Sequence, residues 1–138
     1  TLLEKELAKA HIEAKFTWDI GATENEMQEA LLLIRQAQWR WDFGVSSHGG
    51  SFHAPQETMR ILGHGLNKVF QARMLISKVL VAHGYTDNVP LPDITTKEKA
   101  QQYIGLDMAV EKADKDKFLK EIVPEWLQKA KANGRIVN

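Results

Sequence analysis

The stretch from Pro55 to Ala82 constrains this chain most. It reads PQETMRILGHGLNKVFQARMLISKVLVA, with its one proline at the head. Met59, Leu62, Leu66, Val69, Phe70, Leu75, Ile76, Val79 and Leu80 recur at three- and four-residue steps, which is helix periodicity. Pro55 lacks an N–H and has φ preset near the helical value, so it suits a first helical turn. Gly84 stands just past the far end as a stop. The predicted helix, 55–83, is roughly 40 Å long. Its apolar stripe is too wide for one neighbour, so it must meet its own domain and something else.

The rest of the chain follows the same period. Leu2, Leu3, Leu7, Ala10, Ala14 and Trp18 mark a helix over 2–19, with Glu4, Glu6, Lys9, Glu13 and Lys15 on its wet side and Gly21 ending it. No N-cap precedes this pattern, and the chain reads as a piece of a longer protein. Thr23-Glu24-Asn25-Glu26 is a capping box opening a helix over 24–47. Pro90 and Pro92 mark a connector, and Thr95-Thr96-Lys97-Glu98 reads as a second box before a helix over 96–104. A last helix is predicted over 107–133, kinked or restarted at Pro124. Strand alternation is absent. The fold class is all-α: one helical domain, 1–138, of long antiparallel helices in a bundle.

With 18 basic and 18 acidic residues the formal charge is zero, which leaves no electrostatic footprint for nucleic acid or anionic membrane. No apolar run approaches the roughly 20 residues of a membrane span. There is no cysteine, so these residues cannot form disulfides, thiolate metal sites or the thioether bonds of C-x-x-C-H haem attachment. The five histidines form no H-E-x-x-H pair. Of these, His11, His64 and His83 read as structural or surface residues.

Between the two longest helical patterns lies Gln38 to Arg60, QWRWDFGVSSHGGSFHAPQETMR. His53 falls just outside a helix start, held by a stiff turn. Gly49 and Gly50 let the backbone take conformations, and approach bulky groups, that a Cβ would forbid. Trp39, Trp41, Phe43 and Phe52 add flat apolar surface. A fixed imidazole, permissive glycines and flat aromatics suit an edge that contacts haem. They equally suit a tight helix–helix corner, and the residues alone leave both open.

Several segments together resemble the C-terminal helical region of the pentahaem cytochrome c nitrite reductases. They are Ala10-His11-Ile12-Glu13-Ala14-Lys15, Gln38-Trp39-Arg40-Trp41-Asp42-Phe43, Ser47-His48-Gly49, His53-Ala54-Pro55 and Pro124-Glu125-Trp126. The resemblance implies a multihaem, periplasmic parent enzyme that reduces nitrite to ammonium, with haem c and calcium, and no catalytic residue in this segment. It implies that His53 is the distal axial ligand of a haem iron. It gives His48 a contact beyond the iron, or with a propionate, and sets Trp39 and Trp41 beside the haem. The partners implied are an upstream haem domain of the same chain, a second copy bound through 55–83, and an electron-donor cytochrome or quinol dehydrogenase. A helical interaction domain without cofactor is the other reading.

Overall fold

The computed structural model of the chain describes residues 1–136. All regular structure among them is helical: α1 Leu2–Asp19, α2 Glu24–Ser46, α3 Gly50–His53, α4 Pro55–Ala82, α5 Lys97–Tyr103, α6 Met108–Lys117 and α7 Val123–Ala132. By its contacts the chain divides into two compact units, Thr1–Leu91 and the residues from Pro92 onward. The division falls at the proline connector, where helix cannot continue.

In the first unit the local signals act as their chemistry requires. Thr23 and Glu26 close the predicted box: the Thr23 N–H donates to Glu26 Oε2 at 2.7 Å and the Glu26 N–H to Thr23 Oγ1 at 3.4 Å. Thr1 does the same with Glu4, so α1 does have an N-cap. Gly21 and Gly84, at φ +97° and +82°, follow α1 and α4 in the left-handed region that glycine adopts without penalty. His83 caps α4 and places Nε2 3.1 Å from Glu26 Oε1. The Thr23 N–H, the Thr23 hydroxyl and His83 together pull the Glu26 carboxyl down to about 2.

The core lies between α1, α2 and α4. Leu3, Leu7, Ala10 and Ala14 meet Met27, Ala30, Leu33, Ile34 and Ala37, and both sets meet Val69, Ala72, Ile76 and Leu80. Contacts fix the directions. Leu3 lies against Gly65, Gly65 against Ala37 and Arg40, Gly44 against Leu62, and Glu26 against His83. Thus α2 runs antiparallel to both neighbours, and α1 runs parallel to α4. Because α1 begins level with Ala37 and Gly65, residues 38–46 of α2 and 55–64 of α4 extend roughly 13–15 Å past its start.

Two glycines of α4 separate packing from propensity. A Cβ at Gly65 would lie 2.8 Å from Leu3 Cδ2 and 3.3 Å from Arg40 Cβ, whereas one at Gly63 would meet nothing within 4 Å. Gly63→Ala should therefore stabilise the protein by roughly 0.5–1 kcal/mol through reduced backbone entropy. Gly65→Ala gains the same entropy but crowds the crossing, where overpacking costs about 1–3 kcal/mol, and should be net destabilising. Urea unfolding of the two variants, moving in opposite directions, checks this.

One polar cluster crosses between helices. Glu6 and Glu13, assigned to the wet side of α1, are covered, with Glu6 only 5% exposed. The Arg73 guanidinium grips Glu13 with Nε at 2.8 Å and Nη2 at 2.5 Å, and its Nη1 donates to Glu6. Lys9 Nζ reaches the other Glu6 oxygen at 2.7 Å. Burial pushes the Glu6 carboxyl up, but Lys9 and Arg73 outweigh it and hold the group below its ordinary value.

No described residue of the second unit is buried. Its α5 is capped by Thr96, one residue later than the box predicted. The third helical position is then Lys99, which cannot reciprocate and instead pairs with Asp93. The helix predicted over 107–133 is interrupted by a π-helical turn, Phe118–Ile122, before α7 restarts with Pro124 in its first turn. The missing proline N–H makes that wider turn a natural place for the break.

Candidate functional site

The corner between α2 and α4 is more ordered than the predicted glycine turn. The Gly50 N–H donates to Ser47 O at 2.9 Å, His53 N–H to Gly49 O at 2.8 Å and Ala54 N–H to Gly50 O at 2.9 Å. Those bonds build α3, a single helical turn that ends on His53. Ala54, at φ −141° and ψ 61°, then turns the chain, since a residue before proline is driven out of the helical region. Pro55 opens α4 as the sequence predicts.

His53 is exposed, and among the described residues its ring nitrogens accept and donate no hydrogen bond. Its plane meets the Phe52 ring edge-on, 5.1 Å between centroids and 88° between planes. Phe52 is 83% exposed, an unusual position for so large an apolar ring. Gly49 also lies close to the ring: a Cβ there would stand 3.1 Å from His53 Cδ2 and 3.8 Å from Nε2. The bulky group approached by this glycine is thus the imidazole itself. His48 is also exposed, without a ring hydrogen bond among the described residues.

The two tryptophans part company. Two positions apart on a helix, they face different sides. Trp39 is exposed and stacks on Phe43 at 5.9 Å. Trp41 packs against the core, with Nε1 buried and without a partner among the described residues. Trp39 and Phe43 line an open cleft with Arg40, Arg60, Ile61 and His64. Neither His48 nor His53 lines it. Arg60 is steadied by Glu57, with Nε 2.8 Å from Oε2, and Arg40 Nη1 donates to Gln36 O at 2.7 Å. The sequence reading assigned no role to Arg40 and Arg60 and left His64 as surface. The four-residue spacings Trp39–Phe43 and Arg60–His64 were the available signal.

The donor chemistry suits axial ligation of a haem iron: an accessible imidazole with a free nitrogen, beside exposed flat rings. It does not suit covalent attachment, because the sequence has no cysteine. Among the described residues no group of three or more His, Cys, Asp or Glu could hold a metal ion, and no helix is long and apolar enough to cross a membrane.

Comparison with known proteins identifies the family. A family described as cytochrome c552 matches residues 1–134. The chain is 75% identical over 134 residues to a cytochrome c-552 of Bacteroides fragilis, covering 97% of this chain and 27% of that protein. It is 62% identical over 135 residues to one from Porphyromonas gingivalis, covering 98% of this chain and 27% of the relative. It is 47% identical over 136 residues to one from Haemophilus influenzae, covering 99% and 25%. The chain therefore spans about a quarter of the length of the relatives it matches.

These matches correct the resemblance. Family and relatives are named cytochrome c552 and cytochrome c-552, and the assignment to pentahaem nitrite reductase is withdrawn. With it go the nitrite-reducing activity, the multihaem parent and its calcium, and the predicted partners: an upstream haem domain, a second copy through 55–83 and an electron-donor cytochrome or quinol dehydrogenase. The physical reason is that W-R-W-D-F is the end of α2 and H-A-P a helix corner. Such segments mark a scaffold and do not define a reaction. Matched over residues 1–134, the chain belongs to the cytochrome c552 family, a family of c-type cytochromes and so of proteins that carry haem c.

Proposed function

We propose that this chain takes part in electron transfer as a portion of a cytochrome c-552, offering His53 as an axial ligand to haem iron. The observation that carries the reading is an exposed imidazole, fixed at the end of α3, whose ring nitrogens have no partner among the described residues. Bound haem supplies reversible one-electron chemistry at iron. The chain's residues do the rest. His53 in its neutral form directs a nitrogen lone pair outward. Phe52 shields the ring edge from water, Trp39 offers a flat apolar wall, and His48 stands close in sequence for a propionate or a solvent-side contact. Trp41, turned to the core, supports α2. Electron transfer of this kind is assigned to the periplasm, where c-type cytochromes are matured, and cell fractionation tests that assignment.

The experiment is His53→Ala in the haem-bearing cytochrome. The low-spin haem signal in the electron paramagnetic resonance spectrum should be lost and replaced by a high-spin one. An unchanged low-spin signal overturns the reading.

A further inference from the structure

We infer that Gly49 is a positioning residue for the His53 imidazole, holding it at the angle from which it meets a metal. This rests on the reading of His53 as an axial ligand and adds to it.

The usual reason for a glycine does not apply here. Gly49 lies at φ −101° and ψ −11°, a right-handed conformation that alanine adopts freely. Its exclusion of a side chain matters instead. A Cβ at Gly49 would stand 3.1 Å from His53 Cδ2 and 3.8 Å from Nε2, the first closer than ordinary van der Waals contact. The ring has a second neighbour, because Phe52 meets it edge-on at 5.1 Å. The imidazole thus has both a bare backbone and an aromatic ring as neighbours. Since His53 is exposed, an added methyl would not break the fold; the ring would swing outward into solvent. What changes is direction. A metal–imidazole bond depends on lone-pair direction, and groups that orient a ligating histidine typically control about 10–100-fold in metal affinity.

Gly50 is the control. A Cβ there would meet Ser47 Cβ at 3.1 Å and Thr58 Oγ1 at 3.3 Å, not His53. Gly49→Ala, Gly50→Ala and His53→Ala are compared in the haem-bearing cytochrome. Three readouts are taken: electron paramagnetic resonance, the cyanide concentration needed to displace the histidine, and the melting temperature by circular dichroism. Gly49→Ala should keep its melting temperature, shift the low-spin signal of the His53 haem and lower the displacing cyanide concentration by about 10-fold or more. Gly50→Ala should leave that signal in place. The inference is overturned if Gly49→Ala matches the unaltered protein, if Gly50→Ala gives the same shift, or if Gly49→Ala unfolds. In each of those cases loss of the signal in His53→Ala keeps the ligand reading standing. A silent His53→Ala sinks both.

Discussion

Arg73→Ala should lower the stability of the first unit by about 3 kcal/mol, because it takes the guanidinium from two covered carboxylates and leaves Glu6 with Lys9 alone. Among the described residues Arg73 is the only guanidinium reaching Glu13 and one of two cations on Glu6, and it bridges α4 to both turns of α1 that carry them. The figure sits at the low end for a broken buried pair, since about a quarter of the Arg73 side chain stays in water. The effect has a pH signature. In the folded protein the Glu6 carboxyl is held below the ordinary 4.5. Its pairing therefore contributes in full above that value and is lost as pH falls through the folded one. In the variant, burial acts without Arg73 to oppose it, so Glu6 takes up its proton more readily. The stability gap should be widest near neutral pH and narrow as the pH falls below the ordinary 4.5. Urea unfolding at pH 7 and pH 3.5 measures both. A gap that stays constant with pH contradicts the electrostatic account. Arg73→Met, which keeps the aliphatic stem, should cost nearly as much at pH 7, showing that charge rather than packing is lost.

Met27→Ala should cost about 2–5 kcal/mol. Met27 is completely buried, the largest of the fully buried side chains among the described residues, and stands in the first turn of α2 where that helix meets the ends of α1 and α4. Alanine leaves a cavity that a close-packed core can fill only in part. The matched substitution in the second unit, Leu119→Ala, removes a side chain that is 49% exposed and should cost less than about 1 kcal/mol. Denaturant midpoints for the pair test whether stability resides in the three-helix core. Equal losses would refute it.

What the sequence revealed depended on distance along the chain. Thr23 with Glu26, Gly21, Gly84 and Pro55 each act on neighbours within a few residues, so their roles are written locally and the structure bears them out. Glu6 was misplaced because its partner lies 67 positions away. Nothing in a helical period tells a wet carboxylate from one that a distant arginine covers. The second box failed by one residue because two threonines stand side by side and only the fold selects Thr96. At the candidate site, His53 before a helix start was legible, but α3 was not, as four residues rich in glycine carry no period. Gly49 was legible as a place of close approach, though not for its backbone freedom. The parting of Trp39 from Trp41 follows from helix geometry alone and was available to reading.

The short reach of α1 has a mechanical result. Residues 38–46 and 55–64, with α3 between them, form an outrigger supported by two helices instead of three. His53, Phe52, Trp39 and Phe43 all ride on it, while Met27, Val69 and Ile76 are ballast at the inboard end. The histidine's surroundings can be altered without disturbing the ballast, and the ballast can be strengthened without blunting the tip.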